Sequence, residues 1–165
     1  MSLLYNVAKQ AFLGGTPALD LLNGRIGVGL LRSTYQGTNA ETNLATHATL
    51  GAIGTTNIVA TAWLNAATNA TASVSSGTTI SITNGIFDGP DVIVQSVAGD
   101  TNVTINAVLL FEHTAQGVTA INTSATAAIP IAYINQVSSG LNIVGPGGAN
   151  VTIVWDDGSN RIFAL

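Results

Sequence analysis

The run Ala107-Val108-Leu109-Leu110-Phe111 constrains this chain more than any other stretch of its length. A strand sends successive side chains to opposite faces, so a strand that is apolar at every position needs cover on both. Val103 to His113, which follows a Gly99-Asp100 turn, is therefore predicted to be the central strand of a layered fold. The remaining segments must supply its neighbours and its cover.

They read as short strands separated by turn signals. In Arg25-Ile26-Gly27-Val28-Gly29-Leu30-Leu31, the side chains of Ile26, Val28 and Leu30 share one face and Gly27 and Gly29 the other. Two glycines on one strand face leave room for a bulky side chain or another backbone to approach. Ile58 to Asn65 alternates in the same way, and Thr78 to Ile82 meets Asn84-Gly85, a hairpin signal, before Ile86-Phe87. Asp88-Gly89-Pro90-Asp91 turns the chain into a strand over Val92 to Val97. Ile129 to Ile134 carries Pro130 near its start, which suits an edge or the first residues of a strand. After the Gly145-Pro146-Gly147-Gly148 loop, Val151, Ile153 and Trp155 alternate with Thr152, Val154 and Asp156. Asp157-Gly158-Ser159-Asn160 then predicts a turn, and Arg161 to Leu165 a returning strand that closes a terminal hairpin. About eight to ten short strands without an internal repeat predict one all-β domain over residues 1–165, β-sandwich or jelly-roll-like.

Two segments depart from strand patterning. Leu4, Val7, Ala8, Ala11 and Phe12 recur at helical spacing with Gly14-Gly15 beyond them, so residues 1–15 are predicted as a short N-terminal helical arm. Such a helix either caps the end of the sheet or docks its apolar face on a partner. Residues 33–54, with Tyr35, Glu41 and His47, form the least patterned stretch and are expected to make a long irregular excursion. Long loops on rigid scaffolds are common sites of specific contact. The run Ala66 to Gly77 is small and polar, and suits either a mobile loop or a flat edge strand.

Chemistry is scarce. Only 7% of residues are charged, against roughly 25% in ordinary soluble domains, so the polar surface must be built from Thr, Asn, Ser and Gly. Exposed strands look like this, and so does a surface that lies against neighbours. The four basic residues, Lys9, Arg25, Arg32 and Arg161, are scattered, which argues against nucleic-acid binding. No run approaches the roughly 20 apolar residues of a membrane span, and the N-terminus lacks the basic region of a secretion signal. The absence of cysteine excludes disulfides, thiolate metal sites and cysteine nucleophiles. With two histidines, no metal-ligand spacing and no nucleophile elbow, no cofactor, metal site or catalytic residue is assigned. Glu112 and His113 are adjacent on a strand and point to opposite faces, which makes a poor acid–base pair. Each histidine is expected to be a bonded structural one.

Several segments resemble, in order, a family of tailed-phage virion proteins. They are Tyr5 to Lys9, Leu19-Asp20-Leu21-Leu22 before Arg25 to Leu31, Tyr35 and His47, and Asn84 to Asp88 with Asp91-Val92. Ile129 to Ile134, Val151 to Gly158 and Arg161 to Leu165 complete the likeness, which is interrupted at Ala66 to Gly77 and Val118 to Ala128. The resemblance implies a non-enzymatic capsid decoration or cement protein on the outer surface of the virion. It would be a dimer or trimer that stabilises the head by bridging major capsid subunits. Leu4 and Phe12 in the arm, and Tyr35 and His47 in the excursion, are the candidate partner contacts. The alternative is a receptor- or carbohydrate-binding module of a tail or head fibre, for which Trp63, Trp155 and three tyrosines would have to form aromatic platforms.

Overall fold

The structure, a computed structural model, describes residues 2–15, 18–21, 25–35, 40–54, 56–64, 81–83, 86–95, 97, 103–113, 128–135, 143–155 and 163–164. In chain order they form β1 (Ser2–Leu4), α1 (Asn6–Phe12), β2 (Arg25–Arg32), a tight 3-10 turn (Ser33–Tyr35), α2 (Ala40–Thr46), α3 (Leu50–Ile53) and β3 (Ile58–Trp63). There follow β4 (Ser81–Thr83), β5 (Ile86–Asp88), β6 (Val92–Val94), β7 (Thr104–His113), β8 (Ala128–Ile134), β9 (Ile143–Val144), β10 (Val151–Ile153) and β11 (Phe163–Ala164). The fold is all-β and antiparallel with a short N-terminal helix, as the strand pattern predicts.

The main sheet runs β1-β8-β7-β2-β3. The doubly apolar strand is central: β2 pairs along the whole of one edge of β7, while β9 and then β8 share the other. Its two faces feed two separate buried clusters. Ile26, Val28 and Leu30 of β2 join Ile105, Val108 and Leu110 of β7 in the first, where Val92, Val94, Val151 and Ile153 of the β6–β10 pair pack against them. Ala107, Leu109 and Phe111 lie in the second with Tyr5, Tyr35, Leu44, Leu50 and Ile53. One face of the sheet is thus covered by the β6–β10 pair together with Ala8 and Phe12 of α1, and the other by α2 and α3.

The glycine face of β2 is used as its spacing predicts. Gly27 sits across from Phe111 on one side and Trp63 on the other, and a Cβ placed on it would lie 2.5 Å from Phe111 Cζ. The ring occupies the space the missing side chain leaves. Helix α1 ends where Gly14 adopts a φ of 83°, with the Gly15 amide donating to the Gln10 carbonyl at 2.8 Å. The glycine pair therefore closes the helix through a backbone conformation that other residues resist.

Three expectations need correction. Leu4 belongs to β1, paired with Ala132, and the helix begins only at Asn6. The backbone groups of Ser2 to Leu4 are paired along β8 instead of within a helix. Residues 33–54 are not irregular: the described part is the 3-10 turn and two short helices. Thr49 caps α3 by accepting the Ala52 amide at 3.2 Å, and Leu50 and Ile53 are buried. Pro130, by contrast, is among the first residues of its strand as expected: β8 lies inside the sheet, but β1 pairs only with Ala132 to Ile134, and β8 bulges between Pro130 and Ala132. The proline thus stands beyond the reach of β1, where its missing N–H costs no bond to that strand. Finally, β10 pairs with β6 and β11 with β5, instead of with each other. The Trp155 amide donates to Asp91 Oδ1 and its indole N–H to the Pro90 carbonyl, each at 3.0 Å, which fastens the end of β10 to the start of β6.

The hairpin predicted at Asn84-Gly85 is present in its register, with Thr83 opposite Ile86. The turn residues themselves, the 66–77 and 118–127 stretches, the Asn23-Gly24 and Gly99-Asp100 turns and the 157–160 turn lie outside the described residues.

Candidate functional site

The chain has three tyrosines, and all three meet on the helix-covered face of the main sheet. Tyr5 arrives because β1 aligns on β8; after Leu4 the strand ends, the Tyr5 amide still donates to the Ile131 carbonyl at 3.0 Å, and the residue becomes the N-cap of α1. Tyr133 comes from β8 and Tyr35 from the turn that follows β2. His47 follows α2, its amide donating to the Asn43 carbonyl at 2.8 Å, while the Asn43 side chain donates to the Tyr35 carbonyl at 3.3 Å.

These groups form a hydrogen-bonded chain. The Tyr5 and Tyr35 hydroxyls are 2.9 Å apart, and the Tyr35 hydroxyl is 2.9 Å from His47 Nδ1. The Tyr35 ring also lies 5.7 Å from the imidazole and 6.2 Å from the ring of Tyr133. Tyr5 is completely buried, Tyr35 nearly so, and His47 half-buried. Burial pushes the Tyr5 hydroxyl far above the ordinary phenol range, with Tyr35 adding to the effect, and burial raises Tyr35 as well. Burial lowers the imidazole of His47 below its usual value. Near neutral pH the chain therefore consists of two intact phenols and a neutral imidazole. It is suited to holding segments together and holding a proton in place, and it includes no carboxylate to drive acid–base chemistry.

A second polar group lies at the far end of β7. Glu112, buried, accepts the Asp20 amide at 2.9 Å, and burial raises its carboxyl above the usual range, with the Asp20 charge contributing further. His113 turns the other way, edge-on to the Trp63 ring at 6.3 Å, and its imidazole is lowered by burial and then by Arg25. The two side chains of this adjacent pair have different surroundings, as strand alternation requires. His47 is bonded as expected, whereas His113 is held by packing: its Nδ1 is buried without a hydrogen-bond partner among the described residues. Among the described residues no group of three or more His, Asp or Glu side chains is placed to hold a metal ion.

Of the four residues singled out for partner contact, Tyr35 and His47 are brought together, although they bond each other inside the fold. Leu4 and Phe12 are half-buried against the first cluster. Tyr5 and Tyr133 are not among the four contact candidates, because nothing local links residues so far apart in the sequence to Tyr35 and His47. The one available signal was chemical: a buried phenol needs a partner for its hydroxyl, and the chain has few candidates.

No family model matches the chain, and no curated protein or solved structure matches it. Among the described residues no helix is long and apolar enough to cross a membrane.

Proposed function

We propose that this chain is a non-enzymatic capsid decoration or cement protein of a tailed-phage virion. It binds the outer capsid surface as a dimer or trimer and bridges neighbouring major capsid subunits. The observation that carries this reading is the surface: 7% of residues are charged, while Leu13, Val144 and Val154 are 88%, 62% and 69% exposed. Weak charge repulsion and exposed apolar side chains favour adhesion to a neighbouring surface. The resemblance of several segments to virion proteins points the same way. Many copies on one particle make modest individual contacts sufficient, since detaching a subunit then requires breaking several at once.

The carbohydrate-binding alternative would require displayed aromatic rings, and both tryptophans and all three tyrosines are buried. The test compares particles with and without the protein under heat and osmotic shock, with imaging to locate the chain on the head. Greater survival of decorated particles is expected. Equal survival, or a saturable glycan-binding signal from the free protein, would overturn the reading.

A further inference from the structure

We propose that the Tyr5–Tyr35–His47 chain is a proton-operated latch: neutral His47 holds the segment from Ala40 to Gly54, which includes α2 and α3, on the sheet, and protonation of His47 releases it. The number of hydrogens on the chain decides its state. The chain has two links, each 2.9 Å long, and each needs one hydrogen. With His47 neutral and its proton on Nε2, Tyr35 donates to Nδ1 and Tyr5 donates to Tyr35, so two hydrogens serve two bonds. A proton on Nδ1 makes three hydrogens for the same two bonds. Nδ1 must then donate to Tyr35, and either the Tyr35 or the Tyr5 hydroxyl hydrogen is left over. Both rings are buried, and Tyr35 is the hydrogen-bond partner that the described residues give the Tyr5 hydroxyl. A donor shut away from water without an acceptor is unfavourable, and moving the imidazole outward relieves it.

The segment is built to respond to that loss. It contains two helices of seven and four residues, too short to persist without packing. Its links to the sheet are the burial of Leu44, Leu50 and Ile53, and the tyrosine chain. Lowering of the imidazole by burial agrees with a site that favours the neutral ring. The other titratable groups around it are Tyr35 from the turn, Tyr5 from the start of α1 and Tyr133 from β8. The charged or titratable residues on the neighbouring elements are Lys9 on α1, which is exposed and bonds Asn6, Glu41 on α2, Arg25 and Arg32 at the two ends of β2, and Glu112 and His113 at the far end of β7; α3 and β8 have no charged residue.

Amide hydrogen exchange of the full chain, corrected for the intrinsic pH dependence, tests this. Between about pH 7.5 and about pH 5, protection over residues 43–54 should fall by about tenfold or more relative to β7, the cost of one orphaned buried donor. His47→Asn keeps an acceptor near the Nδ1 position and cannot be protonated, so it should stay protected at both pH values. Tyr35→Phe breaks both links, so its segment should exchange faster already at neutral pH, with no further step on acidification. Absence of the acid step in the wild type, its persistence in His47→Asn or Tyr35→Phe, or its loss in Glu41→Gln or His113→Asn would each overturn the latch.

Discussion

Replacing Gly27 with alanine isolates one packing decision that the main sheet depends on. A Cβ on Gly27 would lie 2.5, 2.8 and 3.1 Å from Phe111 Cζ, Cε2 and Cε1. Apolar carbons rest about 3.5–4.0 Å apart, so the ring must retreat by about 1 Å. Phe111 is fully buried between β2 and the helices, and a displaced ring there disturbs its neighbours. Overpacking of this kind costs about 1–3 kcal/mol. Against it, alanine loses less backbone freedom on folding than glycine, a gain of about 0.5–1 kcal/mol. The expected net loss is about 0.5–2 kcal/mol. Gly29, two residues along the same face, is the control: its added Cβ would meet Ile58 Cγ2 at 3.5 Å and Leu109 at 3.7 Å, ordinary contacts. Gly29→Ala should therefore be neutral or stabilising by up to about 1 kcal/mol. Urea unfolding reads both, as shifts in midpoint at constant slope. Phe111→Leu combined with Gly27→Ala should cost less than the sum of the two single changes, because the atoms that clash are gone. Equal stability of the two alanine variants, or additivity in the Phe111 cycle, would refute the close ring-on-glycine packing.

Three further outcomes follow from particular contacts. Asp91→Ala removes the acceptor of the Trp155 amide and should cost about 1–3 kcal/mol in urea unfolding, with faster exchange of the β10 amides than of β7. Thr49→Ala removes the cap of α3 and should cost about 1 kcal/mol or less, read as lost protection in α3 alone. Glu112 has its carboxyl raised by burial, so its contribution is fully present below the unfolded pKa and is lost as pH rises through the folded one. Glu112→Gln still accepts the Asp20 amide without the charge, so its advantage over wild type in unfolding stability should grow with pH across that window. An advantage that does not change with pH would show that the carboxyl is not titrating there.

Alternation and turn chemistry in the sequence determined the strands other than β1 and β9, the end of α1, the central place of β7 and the two faces of β2. Each of these follows from residues within a few positions of one another, because strand and helix periods are local properties of the backbone. Tertiary structure decided what local patterns do not encode. The register shift between Leu31 and Arg32 leaves Asn106 of β7 as an extra residue between Ile105 and Ala107, which is why Ile105 and Val108 share a cluster although three positions separate them. Thr49 was a usable cap signal in the excursion, yet α2 and α3 form because Leu44, Leu50 and Ile53 find the far face of the sheet. The terminal strands, read locally as a hairpin, take separate partners because Trp155 bonds to residues more than sixty positions earlier. For the same reason, the tyrosine chain could not be read from spacing. Its members are brought together by β1 aligning on β8 and by α2 folding over the sheet, long-range pairings set by which buried polar groups can satisfy one another.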